Sequence, residues 1–282
     1  MKRLFSLCIA ICTLVTGFSQ TDSTKGAPDT IKVGSMTIIR EKGSKPAEDN
    51  DRDHNHVYIP RRHHDKPSNI STNWWIFDFG FSNVNDKTDP TSAEAQAFAG
   101  SAYALNPEWA KLRGGKSRNI NIWVFMQRIN IIKHAVNLKY GIGVELNNYN
   151  FDDTRVHFSK NPTVVTLDPT LENAKKNKLA ADYVTLPLML NFNFTPHKNY
   201  RSFGISVGVS GGYLYSSRQK TKMDGQVSKS KGEFGLERWK LSYVGEVLLG
   251  PVKLYGSYAF ANMWEKGLDQ TPYNVGFRIS TW

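Results

Sequence analysis

The sequence has little cysteine and no long apolar run beyond its N-terminus. Its two cysteines, Cys8 and Cys12, both lie within a short N-terminal apolar run. The rest of the chain therefore has no means to form a disulfide framework, a thiolate nucleophile or a cysteine-ligated metal site. No later stretch reaches the roughly 18 apolar residues that a membrane-spanning helix needs, which excludes a helical membrane protein.

The chain also has no concentrated block of positive charge. Its formal net charge is +11, which would suit a nucleic acid or an acidic lipid. The lysines and arginines are, however, scattered or lie between aromatic strands instead of forming one stripe along the sequence. We therefore expect no nucleic-acid partner.

The N-terminus carries the pattern of a secretory signal peptide. Lys2 and Arg3 precede the apolar run Leu4–Val15, and Gly17 and Ser19 supply the small residues that a signal peptidase reads. The run is too short to anchor the chain in a bilayer. We assign residues 1–19 to a signal peptide that is cleaved before Gln20.

Residues 20–72 have a composition that disfavours a packed core, since they are rich in Lys, Asp, Asn, Pro and His. We interpret them as a flexible periplasmic segment. The alternating patch Ile31–Ile39 could add a strand to a partner's sheet edge, but we interpret it as an isolated apolar segment. Four histidines lack the rigid surroundings that a metal site requires, so we expect no bound metal: His54, His56, His63 and His64.

From Trp74 onward, segments of about 10 residues alternate between apolar and polar side chains, which is typical of membrane β-barrel strands. Residues 73–282 are therefore predicted to form an all-β, eight-stranded, antiparallel, up-and-down transmembrane barrel. The predicted strands are Trp74–Asn83, Asn119–Ile129, Val136–Asn148, Tyr183–Phe194, Phe203–Tyr215, Arg238–Leu249, Val252–Asn262 and Tyr273–Trp282.

One parity of these strands is apolar and is predicted to face lipid. In the first two strands it comprises Trp75, Phe77, Phe79, Phe81, Ile120, Ile122, Val124 and Met126. The opposite parity carries a nearly balanced set of charges, which we expect to pair inside the lumen. This predicted lumen charge network consists of Asp78, Lys139, Glu145, Lys240, Glu246, Lys253 and Arg278.

A soluble sandwich would show the same alternation, but three features favour a membrane barrel. The apolar faces are long enough to cross a bilayer at a tilt, and Trp and Tyr residues cluster near strand ends, as in interfacial belts. Long and short connections also alternate, as in barrels with long outer loops and short periplasmic turns. Because eight strands enclose little more than side-chain volume, we expect a filled barrel.

Two segments resemble the PorT-like outer-membrane β-barrel family of Gram-negative bacteria. In the strand 183–191, Tyr183 leads into the pair Pro187 and Leu188, and the segment Gly276–Ile279 resembles the family's C-terminal ending. The resemblance implies an outer-membrane barrel, and some members of the family assist protein secretion. Since Pro lacks an N–H for the ladder, we expect a β-bulge at Pro187.

The outer loops contain two segments that we expect to be helical, Ala93–Leu112 and Asp168–Ala180. No Ser-His-Asp set or phosphate cradle is recognisable. His157 lies in an outer loop, but no serine in a nucleophile motif accompanies it. We therefore expect neither an enzyme nor a cofactor.

Two functions remain open at this point. One is a structural or interaction barrel of the cell envelope, such as an accessory to secretion or surface-complex assembly, which contacts membrane lipid and binds proteins through its tail or outer loops. The other is a small transport channel. The sequence does not set the oligomeric state.

Overall fold

The structure is a computed structural model that describes residues 29–33, 36–40, 68–195, 203–250 and 252–280. The predicted signal peptide, the four tail histidines and Trp282 lie outside the described residues. The chain divides into two units, Met1–His64 and Asp65–Trp282.

The first unit contains one antiparallel hairpin. Strand β1 (Asp29–Val33) pairs with β2 (Met36–Arg40), so that Ile31 lies opposite Ile38. The apolar patch that we interpreted as an isolated segment is therefore paired within the chain. Its alternating residues satisfy each other's backbone groups across the hairpin.

The second unit is built mainly from long antiparallel strands. Its elements are β3 (Ile70–Asp86), α1 (Ala93–Leu105), β4 (Arg118–Ile132), β5 (Val136–Asn150), β6 (Val156–Phe158), β7 (Val165–Leu167), a 3₁₀ turn (Pro169–Leu171), β8 (Lys176–Asn193), β9 (Phe203–Met223), β10 (Gln226–Lys231), β11 (Trp239–Leu249), β12 (Val252–Ala259) and β13 (Gln270–Ile279).

Eight of these strands form a closed ring. The order β9-β11-β12-β13-β3-β4-β5-β8 is completed by pairing of β8 with β9, which confirms the predicted eight-stranded barrel. Strand β9 continues to Met223 and carries β10 on its outer end. The barrel wall begins at Ile70, so Ile70–Thr72, which we assigned to the tail, lie in β3.

The two faces of the wall differ as their parity predicts. In β3, Phe77 and Phe79 are exposed on the outside, whereas Asp78 between them is buried in the lumen. Exposed apolar side chains around the ring match a lipid environment, because lipid tails and not other protein groups cover them.

The prediction that Met126 faces lipid was wrong, and a β-bulge explains the error. The register of β4 against β5 shifts between Trp123 and Phe125, which leaves Val124 as an extra residue. The bulge reverses the parity of the rest of β4. Met126 therefore points into the lumen and is fully buried.

The bulge expected at Pro187 is also absent. Pro187 lies opposite Ser210 in regular register, and the β8–β9 shift instead lies between Asp182 and Tyr183. On its other side, the ladder with β5 is interrupted near Pro187 without a change of register. The strand therefore accommodates the missing N–H through a local gap in pairing.

The outer loops contain one of the two expected helices. Helix α1 is capped by the Ser92 hydroxyl, which accepts a hydrogen bond from the Ala95 N–H. Asp168 caps only the 3₁₀ turn, because the chain enters β8 at Lys176. The predicted helix through Ala180 was wrong. Within the described ranges, no helix is long and apolar enough to cross a membrane.

Candidate functional site

The lumen holds a buried ion pair between the first and last strands of the barrel. Asp78 and Arg278 lie directly opposite each other on β3 and β13. The Arg278 Nε and Nη2 atoms donate to the two Asp78 carboxylate oxygens, each at 2.7 Å. The Trp123 Nε1–H also donates to Asp78 Oδ2 at 2.7 Å. These bonds satisfy a carboxylate that is only 1% exposed.

Glu246 extends this pair across the lumen. Its carboxylate pairs with Arg278 through Nη1 and with Lys139 through Nζ. The hydroxyl of Ser206 also donates to Glu246 at 3.4 Å. The structure therefore brings four of the predicted network residues into one chain, with two acids and two bases alternating.

A second cluster surrounds Glu145 nearer the long-loop end of the barrel. Lys240 pairs with Glu145 across the lumen. The side-chain amides of Asn274 and Asn147 donate to Glu145 Oε1 at 2.9 and 3.0 Å. One base and several neutral donors thus stabilise this buried carboxylate.

Asparagines connect the two clusters. The Asn119 amide donates to Asn147 and to Asn121, both at 2.9 Å, and Asn121 donates to Asp78 at 3.1 Å. The Tyr255 hydroxyl donates to Asn119. Most of these neutral residues are not part of the predicted charge network, although their inward parity in the strands marks them as lumen residues.

The remaining predicted network residue, Lys253, lies near the short-turn end. Its Nζ donates to the backbone oxygen of Ser280 at 2.8 Å. Arg128 lines the same end of the lumen together with Lys139 and Lys253. In a β4 without a bulge, its parity would place it on the outer face. Because the β4 bulge moves Arg128 inward, sequence parity alone missed it.

The side chains of these clusters leave little space. Two cavities among them measure about 30 Å³ each, and both are lined by Glu246. A volume of this size holds about one or two water molecules. At these two positions the side chains leave room for little more than ordered water.

The three residues of the family-like strand motif occupy different faces of β8. Tyr183 is buried on the inner face, where Lys240 Nζ lies 5.4 Å from its ring centroid. Pro187 lines one of the small cavities in the lumen. Leu188 lies on the outer face and is 51% exposed. The motif therefore contributes to the wall and its lining and does not form one site.

An aromatic cluster packs over the long-loop end of the lumen, and we call it the loop cap. It begins at inward residues of the strands and continues through the outer loops, where the Phe158 and Trp264 rings stack at 5.7 Å. Its larger buried members are Phe98, Trp109, Tyr149, Phe151, Phe158, Tyr183, Phe234, Leu236, Met263 and Trp264. Aromatic packing of this kind holds otherwise separate loops in one arrangement.

Side-chain hydrogen bonds join the end of α1 to the loop after β5. Asp153 accepts hydrogen bonds from Arg155 Nε at 3.0 Å and Nη2 at 2.8 Å, and Asn106 donates to it at 2.8 Å. These bonds, above all those from Arg155, lower the pKa of Asp153 to about 2. The carboxylate therefore stays ionised at any ordinary pH.

Metal-ligating side chains do not converge in the part of the chain that the structure describes. No group of three or more His, Cys, Asp or Glu residues there has an arrangement that could hold a metal ion. His157 lies exposed in β6, where it pairs with Thr166.

Comparison with known proteins identifies the barrel. The family model described as "Outer membrane protein beta-barrel domain" matches residues 77–262. No curated protein matches the chain significantly. A similar solved structure is Ail, the attachment invasion locus protein of Yersinia pestis, in complex with the heparin analogue sucrose octasulfate. It is 13% identical, covers 74% of this chain and 98% of its own, and has a TM-score of 0.28, which supports no argument about function.

Proposed function

Because the chain belongs to the outer membrane protein β-barrel domain family, we propose that it is a non-enzymatic interaction protein of the bacterial outer membrane. The barrel anchors it in lipid, and the outer loops bind a protein partner during secretion or surface-complex assembly. Export follows from the predicted signal peptide, residues 1–19.

The ion pairs that cross the lumen beneath the loop cap support this proposal. A channel needs a continuous polar path, whereas the pairs around Glu145 and Glu246 connect strands that are not neighbours in the wall. The outer loops, by contrast, pack together in the loop cap. Leu105, at the end of α1, is 67% exposed there and is accessible to a partner.

We also propose that the chain belongs among the PorT-like barrels. The segment with Tyr183, Pro187 and Leu188 supports a place among PorT-like barrels, some of which assist secretion. No residue of this chain aligns with such a role, so the support comes from the barrel sequence alone.

Planar-bilayer recording separates this proposal from the small transport channel. We expect the purified protein to insert without a stable ion-conducting state, because its buried charges are paired across the lumen. A matched variant, Glu145→Ala with Lys240→Ala, removes one cross-lumen pair. Conductance through this variant would show that the protein inserts under the recording conditions. A steady porin-like conductance of the wild-type protein would favour the channel.

Site-specific photocrosslinking in intact cells tests the interaction role. We expect a photoreactive residue at Leu105 to yield a discrete crosslinked protein, because this position lies on the loop surface. The same residue at Lys133, in the exposed short turn between β4 and β5, is the matched control. Crosslinks from the turn and none from Leu105 would contradict binding through the outer loops.

A further inference from the structure

The ends of β8, β9 and β10 beyond the membrane carry an unusual set of outward side chains. In β5 and β8, paired residues such as Leu146 and Asp182 share one side of the wall, and Leu146 belongs to the outward series. Lys178 and Lys176 precede Asp182 in β8 and lie on the same side of the wall. Their neighbours Asn177 and Leu179 are buried on the inner side, and Leu179 belongs to the loop cap, so these lysines point away from the lumen.

The strand pairing gathers seven cations on this side, which we call the outer cationic face. Lys178 lies opposite Lys220, and Lys220 lies opposite Lys229 on β10. The face consists of Lys176, Lys178, Arg218, Lys220, Lys222, Lys229 and Lys231. Strand pairing thus brings together basic residues that are scattered along the sequence.

The outer cationic face has little internal charge compensation. Of its outward positions on β8, β9 and β10, only Asp182 carries a carboxylate, and that carboxylate pairs with Arg218. Like charges directly opposite each other on neighbouring strands destabilise a sheet. Desolvation and the nearby Lys176, Lys220 and Arg218 lower the pKa of Lys178 to about 8. An external anion would relieve this repulsion.

The position of the face identifies the kind of anion. On the outside of the wall, Tyr213, Tyr215 and Trp239 are exposed aromatic residues of the type that marks a membrane interface. Arg218 lies three residues beyond Tyr215, which is about 10 Å farther along a tilted strand. The near edge of the face, at Arg218 and Lys231, therefore lies at about the level of the lipid headgroups.

A neighbouring cleft extends the positive surface around the barrel. It has a volume of about 390 Å³ and is lined by Arg113, Lys116, Arg118, Lys175 and Lys176, among others. The Arg118 guanidinium lies over the Phe81 ring at 4.5 Å from the centroid, and its Nη1 is buried without a hydrogen-bond partner in the structure. This N–H group can donate a hydrogen bond to an anion in the cleft.

We propose that the outer cationic face and the adjoining cleft bind the phosphate groups of outer-leaflet lipids, and so hold a ring of anionic lipid beside β8, β9 and β10. Lysine ammonium groups provide point charges for phosphate, and arginine adds directional hydrogen bonds. This role concerns lipid and is independent of the protein partner proposed above.

The test compares two triple variants in bilayer nanodiscs. The variant Lys176→Gln, Lys220→Gln, Lys222→Gln alters the face, while Lys87→Gln, Lys160→Gln, Lys266→Gln changes the net charge equally at exposed positions elsewhere. Thermal unfolding is measured in phosphatidylcholine alone and with added phosphatidic acid. We expect phosphatidic acid to raise the Tm of the wild type and of the control variant, because a ligand of the folded state stabilises it.

The face variant should lose most of this rise, and in pure phosphatidylcholine its Tm should equal or exceed that of the wild type, because like-charge repulsion is reduced. Added salt should weaken the rise for the wild type. Equal rises in both variants would overturn the proposal. Inorganic phosphate or a heparin oligosaccharide raising the Tm equally in pure phosphatidylcholine would also overturn it, in favour of a soluble anion.

Discussion

Replacing Asp78 with alanine is expected to destabilise the barrel by about 3 to 5 kcal/mol, the range for breaking a buried ion pair. The substitution removes the two Asp78 oxygens that accept from Arg278 Nε and Nη2, and it leaves the Trp123 N–H without its acceptor. Arg278 keeps only one carboxylate contact, with Glu246, which Lys139 also contacts, so the cluster of one acid and two bases carries a net buried positive charge. Urea titration of the protein folded in lipid vesicles measures the loss.

The double variant Asp78→Ala, Arg278→Met provides the control, because it removes both charges of the pair. Glu246 and Lys139 then remain as a balanced pair. We expect the double variant to recover a large part of the lost free energy of unfolding, so that the two substitutions are strongly non-additive. Additive losses would show that Asp78 stabilises the barrel through something other than its charge.

Strand number and facing could be predicted from the sequence because they depend on local alternation. In β3, Phe77 and Asp78 reveal their faces through parity alone. The exceptions, Met126 and Arg128, follow a bulge at Val124, and nothing in the local pattern indicates that extra residue. A single unpaired residue reverses every later position in the strand, so this type of error is systematic.

The outer cationic face could not be predicted for a different reason. Lys178, Lys220 and Lys229 are far apart in sequence, and only the register of three strands places them side by side. The predicted strand Phe203–Tyr215 was also too short, since β9 continues to Met223, well beyond the end of the apolar alternation. Backbone pairing supports that extension where lipid-facing periodicity has ended.

The loop cap depends on long-range packing as well. Phe98, Phe158 and Trp264 come from three separate loops, and their rings contact one another only in the folded protein. Contacts between loops supply the apolar burial that no single loop contains. The sequence could therefore indicate a helix that begins at Ala93, although the predicted end at Leu112 was too late, since the helix ends at Leu105. It could not indicate what that helix packs against.

Leu188→Arg is the prediction that tests the membrane facing of the barrel. Leu188 lies on the outer face in the middle of β8, between Tyr140 of β5 and Val209 of β9. An arginine there must enter the hydrocarbon layer or distort it, which costs about 2 to 4 kcal/mol at the bilayer midplane. Reversible folding into vesicles, followed by tryptophan fluorescence during denaturant titration, gives the change in unfolding free energy.

Ile132→Arg is the matched control, because it places the same charge on an exposed residue at the short-turn end of β4. Ile132 is 54% exposed, close to the value for Leu188, so the two variants differ mainly in depth. Near the interface the same substitution costs only about 0 to 1 kcal/mol. Equal costs at the two positions would show that membrane depth does not govern the outer face, and a soluble barrel would then fit the data better.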